Sequence, residues 1–529
     1  MSPRRRGGGK ADKAGDARQA ARGGKTARGG KTDGTGARRS RGRRPVAAVL
    51  PAAVSDAGAP QPTGRPRPPG QRLYDMPYSA VAPRLVNPDL GLHNLVARAG
   101  HNAAYSIDVT LLDAPDHRLI RSGVLLAHRV LDGRGEWFLT APDWQPLLPK
   151  DRIELMGHSD LPEELADLTR PLRRRAPLGP VAALTCDRRE FALRDEEGET
   201  LALLRDDKVT VRRGGLTTAR YREVMITPVG AGLTEDQTAW VDRALTGVGS
   251  AAVARFPRLV SRLGAPATGP TDVPEAGPVL PEMAFKRFLG QLVGRRLREL
   301  VEADLAVRGG ELAATVRVRA SVRTLAAELD ALAVGVDAAW LRELVDELEW
   351  LGGPDPEPAE KLAARLRGER YLALLDALVG AARAPRLGDR SSVAAEDELE
   401  GLLGAALAAF AAAVETVDVD SPAQAWADVA RQLQRAEALA ALAGPVLPAR
   451  AAEVGRRLRK PRRRLDAVGA APLDEAVALA AVAGLDPAAA FAAGRSWERQ
   501  AGESRRGRRA FLTAAARATR KLSAAGDAG

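Results

Sequence analysis

The chain has 529 residues and a single cysteine, Cys186, which excludes an intrachain disulfide framework and a cysteine-rich zinc site and suits a reducing cytoplasm. Its formal net charge of +12 resides in residues 1–45, where fifteen Lys and Arg face only Asp12, Asp16 and Asp33; the remainder balances, so basic surfaces elsewhere must be local patches. The longest apolar run, Leu402 to Val414, falls short of the ~20 residues of a membrane-spanning helix, and the basic N-terminus lacks the apolar stretch of a signal peptide; a cytoplasmic protein with no membrane partner is expected.

Residues 1–72, with MSPRRRGGGK, RSRGRRP and PQPTGRPRPPG, carry charge and glycine without apolar periodicity. Such a segment cannot bury enough surface to offset the entropy of ordering, so a disordered basic tail is expected. It could hold nucleic acid electrostatically, but no aromatic residue interleaves it for base stacking. Residues 73–262 change character. The runs AYSIDVTLLD, SGVLLAHRV, EWFLTAP, DRIELMG, VAALTCDRREFALRD, TLALLRDDKVTVRR and TTARYREVMITPV alternate and are parted by turn-like pieces, which predicts an antiparallel sheet or barrel. TEDQTAWVDRALTGVGSAAV then predicts a helix, with Thr234 as N-cap and Gln237 three residues on.

Residues 263–281 are rich in Gly and Pro and read as a linker. Residues 282–521 read as helices: Phe285, Phe288, Leu289, Leu292, Val293, Leu297 and Leu300 recur at three- and four-residue steps, and similar stretches follow. Short connections make these an antiparallel bundle, with residues 522–529 a disordered end. The fold class is α+β in two parts. VRVRASVRTL and WADVARQLQRAEAL each thread arginines through an apolar stripe, which hints at an internal duplication.

This order of parts resembles the bacterial CYTH–CHAD proteins over about residues 80–520. YSIDVTLLDAPDHRLIRSGVLLAHR looks like the CYTH stretch Y-x-D-T-P-D…L…G…L-R-x-R, EWFLTAP sits where that family has W-x-L-K-x-P, and RYREVMITPVG where it has an E-x-E-x-E strand. DELEWLGG, RYLALLDAL, DELEGLLGAALAAF and AAAFAAGRSWERQAGE look like successive CHAD helices.

The resemblance implies a tunnel for triphosphates, in which inward Lys and Arg hold the polyanion and inward carboxylates hold Mg²⁺. The departures are large. The opening E-x-E-x-K is missing, L-R-x-R reads Leu126, Ala127, His128, Arg129, and the lysine of W-x-L-K is Thr140. Arg129, Arg188, Arg189 and Lys208 are the remaining tunnel-like anion-binding candidates; the bland alternative makes them solvent-facing strand residues. Glu223 is the one carboxylate left at a family metal position. No catalytic residue, metal site or cofactor is therefore expected, with Mg²⁺ required only if a triphosphatase survives. His93, His101, His117, His128 and His158 form no zinc-binding spacing.

The CHAD resemblance implies binding of inorganic polyphosphate through H-x-x-R-V-x-x-R-R-type helices, where three- and four-residue spacing lines one groove and Arg supplies a bidentate fork. The first such helix keeps Arg317, Arg319 and Arg323; the second keeps Arg431 and Arg435; the histidine positions fall near Ala314 and Ala427. Arg456, Arg459 and Arg463 belong to a dense basic run that follows. Three readings stand side by side: a non-catalytic polyphosphate- or polyanion-binding protein, which the resemblance would associate with polyphosphate granules; a metal-dependent inorganic triphosphatase with a rearranged site drawing on Glu154, Asp206 or Asp207; and a nucleic-acid- or ribosome-associated protein acting through residues 1–45. A scaffold with empty pockets is the plain alternative, and the sequence leaves the oligomeric state open.

Overall fold

The computed structural model describes residues 70–526 apart from 101–102, 132, 149–150, 156–159, 334–337, 355–356, 469–478 and 481. The basic segment, and the disorder expected of it, lie outside the described residues.

The strands are β1 (Arg72–Met76), β2 (Asn94–Ala97), β3 (Ala104–Asp113), β4 (Leu125–Leu131), β5 (Arg134–Thr140), β6 (Asp151–Leu155), β7 (Gly179–Arg194), β8 (Thr200–Arg213), β9 (Leu216–Pro228) and β10 (Ala251–Val253). They form one sheet in the order β10-β1-β9-β8-β7-β3-β4-β5-β6, with β2 paired onto β7. The described pairs are antiparallel. Of the sheet and the barrel that the sequence allows, the structure is the open sheet. Its end strands are short, three residues in β10 and five in β6, and they do not pair with each other.

Both faces of the central strands are covered, because both alternate apolar residues. One face carries Ile107, Val109, Leu184, Cys186, Val209, Val211 and Tyr221 against α4 (Leu259–Leu263). The other carries Tyr74, Met76, Leu204, Val224 and Ile226 against α3 (Glu235–Gly247). The capping box forms at the start of α3: Gln237 N–H donates to Thr234 Oγ1 at 3.2 Å, and Thr234 N–H to Gln237 Oε1 at 2.9 Å. Three helices have no counterpart in the sequence reading, α1 (Arg118–Arg121), α2 (Glu163–Arg173) and α4. The expected DAPD motif has a local job. The Asp113 carboxylate accepts the backbone N–H of Ala114, Leu119 and Ile120 at 2.6, 2.9 and 2.9 Å, tying down the start of α1.

The helical part contains α5 (Phe285–Arg308), α6 (Thr315–Leu332), α7 (Ala338–Gly352), α8 (Ala359–Arg365), α9 (Glu369–Arg383), α10 (Ala395–Glu415), α11 (Ala423–Ala443), α12 (Pro448–Val468) and α13 (Pro487–Gly526). The last helix runs beyond residue 521, past the end the sequence assigns to the bundle. No described helix is long and apolar enough to cross a membrane.

Burial exposes the duplication. Leu289, Leu292, Val293 and Leu300 of α5 correspond in spacing to Leu399, Leu402, Leu403 and Phe410 of α10, and all are buried. Val318, Val322, Leu325 and Leu329 of α6 match Val429, Leu433, Ala436 and Ala440 of α11. Leu341, Leu344 and Leu348 of α7 match Ala451, Val454 and Leu458 of α12, while Tyr371, Leu374, Leu375 and Leu378 of α9 match Phe511, Ala514, Ala515 and Ala518 of α13. Each repeat is four core helices, and an isolated bridge between Ala284 and Ala394 joins the starts of α5 and α10.

The two parts share one core. Leu126, Trp137, Leu139 and Trp144 of the sheet region, and Leu165 and Leu168 of α2, belong to the same apolar cluster as Phe285, Leu289 and Leu372. Residues 263–281 are not a loose spacer: Asp272 and Val273 are buried, and Asp272 receives Arg174 from the end of α2, Arg383 from α9 and, at 3.5 Å, Arg121. A second buried network joins Asp304 to Tyr371 Oη at 2.9 Å and to Arg308 at 2.9 Å, and Arg308 continues to Asp167 of α2.

Candidate functional site

Cross-strand register builds a polar row on the face that α4 covers. Asp75 of β1 lies opposite Glu223 of β9, Glu223 opposite Asp207 of β8, Asp207 opposite Arg188 of β7, and Arg188 opposite Tyr105 of β3. Arg188 grips both Asp207 oxygens at 2.7 and 2.8 Å and donates to Tyr105 Oη at 2.6 Å. Arg205 stands 3.2 Å from the same carboxylate. From α4, Arg262 stacks over the Tyr221 ring and reaches Asp75 at 3.1 Å and Glu223 at 3.8 Å.

The structure does not gather the four tunnel candidates. Neighbouring strand residues point to opposite faces, so Arg188 is buried while Arg189 is exposed on the other side, the side on which Lys208 approaches the Tyr78 ring. Arg129 is 1 % exposed, bonded to Glu136 and stacked on Phe138. For Arg129 and Arg188 the solvent-facing alternative is thus overturned, because their strands are covered on both faces. A buried guanidinium needs a fixed counter-charge, and each already has one inside the fold.

Nor do the carboxylates fit a divalent cation. Mg²⁺ needs ionised oxygens with lone pairs to spare. Asp207 is held by Arg188 and Arg205, and Asp75 by Arg262. Both Glu223 oxygens are buried without a hydrogen-bond partner; burial, opposed by Arg262 and reinforced by Asp207, pushes this carboxyl up to about 8, so it is mostly protonated at neutral pH. Asp206 points to the opposite face from Asp207, where Arg222 grips it at 2.7 and 2.6 Å. The rearranged site that would join Asp206 to Asp207 is therefore not built; the Glu154 side chain lies outside the described ones. Among the described residues no group of three His, Cys, Asp or Glu could hold a metal ion.

The helical part does gather expected residues. A cleft of about 520 Å³ between α6, α7 and α11 is lined by Arg323 of the first repeat and Arg431 and Arg435 of the second, against the carboxylates Asp330 and Glu349. Arg435 lies 3.4 Å from Asp330, and Arg431 pairs with Asp428 at 2.9 Å while its side chain stays 55 % exposed. Arg319 is next to the cleft, donating to the Gly352 carbonyl at 3.1 Å. Arg317 is not part of it: it is on another face of α6, paired with Glu311.

Arg456, Arg459, Lys460, Arg463 and Arg464 share one exposed face of α12 by helical spacing. None of them forms an ion pair among the described residues. At the matching positions of α7 stand Asp346 for Arg456 and Glu349 for Arg459, so the duplicated helices have opposite charge. Arg462 of α12 meets Glu437 of α11 at 3.6 Å, which sets α12 beside α11 as α7 is set beside α6. This inversion was readable in the sequence only once the two repeats could be aligned by their buried residues.

No family model matches the chain. Uncharacterized protein Rv2226 of Mycobacterium tuberculosis (strain ATCC 25618 / H37Rv) is 27% identical over 330 residues, covering 58% of this chain and 60% of that protein; the chain thus matches less than two thirds of its relative's length. Among solved structures, PptA from Streptomyces chartreusis is 18% identical, with a TM-score of 0.32 over 44% of this chain and 99% of its own. The PH1819 protein from Pyrococcus horikoshii OT3 is 12% identical, with a TM-score of 0.17 over 36% of this chain and 93% of its own.

Proposed function

We propose that this protein binds a linear polyanion, inorganic polyphosphate, on its helical part without hydrolysing it. The observation that carries the reading is the cleft in which Arg323, Arg431 and Arg435 converge from two repeats. The exposed cations of α12, the helix beside α11, offer a second basic surface in the same repeat. A chain of phosphates presents the planar oxygen pairs that a guanidinium fork matches, and it can displace the local carboxylates from Arg431 and Arg435. The sheet supports the non-catalytic half of the reading, because its arginines and carboxylates neutralise one another.

A thermal readout isolates the folded body. Attraction to the N-terminal basic run, which the sequence reads as disordered, is common to folded and unfolded chains and cancels, whereas a ligand of the native state raises the melting midpoint. Long-chain polyphosphate at about 0.15 M salt is expected to raise the midpoint of the full chain. With Arg323, Arg431 and Arg435 all replaced by Ala, the apparent affinity should fall by about a hundredfold or more, given ~1 kcal/mol or more for each charge-assisted contact. An unchanged midpoint rise in the triple variant would place the ligand elsewhere.

A further inference from the structure

A different cleft, of about 660 Å³, opens where the first turns of α5 and the end of α9 meet residues 274–277 and the Gly388–Ser392 turn. Lys286, Arg287, Arg295 and Arg383 line it with Ser391 and Ser392, against one carboxylate, Glu275. Arg383 is committed to Asp272. Lys286, Arg287 and Arg295 form no ion pair among the described residues. Arg295 Nε and Gln291 Oε1 are buried there with no hydrogen-bond partner. The walls are held close: a Cβ at Gly290 would come within 2.6 Å of the Ala382 carbonyl oxygen, so α5 and α9 cross in backbone contact at this point.

The second repeat shows what the fold requires at these positions. There Lys286, Arg287 and Arg295 are matched by Glu396, Asp397 and Ala405, and α10 opens on Glu396, Asp397 and Glu398. Acids in a first helical turn complement the exposed N–H groups, and cations oppose them. Repeat two follows that rule. Neither helix has a side-chain cap, but repeat one reverses the charge, with no acid and two cations in the first turn of α5, and adds Arg295 from deeper in the helix. The architecture is satisfied by acids, so the cationic set serves something other than folding.

We propose that this cleft binds a small phosphate-bearing anion, either inorganic phosphate or a phosphomonoester. Its charge would compensate Lys286, Arg287 and Arg295 together, and its oxygens would accept hydrogen bonds from Ser391 and Ser392. A volume of this order suits a small ligand. The site is separate from the α6–α11 cleft and does not depend on the polyphosphate reading.

The test compares the full chain with a variant that adopts the second repeat's residues, Lys286→Glu with Arg287→Asp. Inorganic phosphate at about 10 mM, matched in ionic strength by chloride, should raise the wild-type midpoint by about 2 °C or more and leave the variant unmoved. In phosphate-free buffer the variant should melt no lower than wild type, since its acids suit the helix start. The neutral pair Lys286→Gln with Arg287→Gln should also lose the response. Glycerol phosphate in a parallel arm separates the sources: a larger rise than with phosphate assigns the ester, a smaller one the free ion. Equal rises in wild type and both variants, or no rise with either anion, overturn the proposal, as does a lower phosphate-free midpoint in the acidic variant. The Arg323/Arg431/Arg435→Ala protein should keep the phosphate response, so failure of one reading leaves the other standing.

Discussion

The sheet and the second helical repeat both hold dense arginine, and they use it in opposite ways. In the sheet, Arg188 and Arg222 are nearly inaccessible, and each lies fork-on against an aspartate from a neighbouring strand. On α12, Arg456, Arg459 and Arg463 are exposed and have no ion-pair partner among the described residues. A charge withdrawn from water must be matched on the spot, so the sheet's arginines are bound into its stability. A charge left in water costs the fold little and remains available to a partner. Local sequence does not distinguish the two, since neither DRRE nor GRRLRKPRRR reports which of its arginines will meet a carboxylate from another element.

The sharpest way to break this comparison is Arg188→Ala. It leaves Asp207 buried beside Arg205 alone, and a loss of about 3–5 kcal/mol is expected in urea unfolding, with the polyphosphate response of the surviving folded protein intact. Replacing Arg188 and Asp207 together by Met and Leu should recover most of the loss. A mild effect of Arg188→Ala would mean that the row is not neutralised as described.

Glu223 gives a pH signature of intermediate size. Its folded value of about 8 lies above the ordinary 4.5, so the folded state binds the proton more tightly than the unfolded chain. Stability therefore falls as pH rises through that window. Glu223→Gln has no proton to lose. It should match wild type at about pH 4.5 and exceed it by roughly 2–4 kcal/mol at about pH 9, read from denaturation midpoints at the two values. Parallel curves would show that the carboxyl is not held neutral.

The smallest effect on stability belongs to α12. Arg456, Arg459 and Arg463 changed together to Glu should shift unfolding by no more than about 0.5 kcal/mol per site. The same change should weaken polyphosphate binding by about tenfold or more at low salt, with a shallower salt dependence. A large loss of stability with unchanged binding would reverse the roles assigned to the two regions.

Much of the fold was legible because alternation and capping are local signals. AYSIDVTLLD and TLALLRDDKVTVRR are β3 and β8 residue for residue, and Thr234 with Gln237 forms the capping box its spacing predicts. Helix α2 carries a weak local signal, with Pro162 as its N-cap and Pro171 inside it; it is held by Leu165, Leu168 and Leu172 in the shared core. Strand β1 is only RLYDM, and what makes it a strand is its pairing to β9 and β10, which no local pattern reports. The fate of Arg188 turned on Asp207, a partner fixed by register and not by proximity in sequence. In the helical part Arg323, Arg431 and Arg435 line one cleft while Arg317 lies on another face of α6, a division that spacing alone does not report because a helix face depends on which side the core claims.

The inversion between the duplicated helices has a consequence for encounter. Residues after the basic N-terminal run balance in charge, yet α7 presents Glu343, Asp346 and Glu349 where α12 presents Glu453, Arg456 and Arg459. Such a body has little monopole and a permanent electric moment. At distances beyond the Debye length of ~8 Å it neither attracts nor repels an approaching anion appreciably. Inside that range the local potential decides, attractive along the α12 face and repulsive at Glu343 and Asp346 of α7, so that where an anion lands, more than how fast it arrives, is what the charge pattern controls.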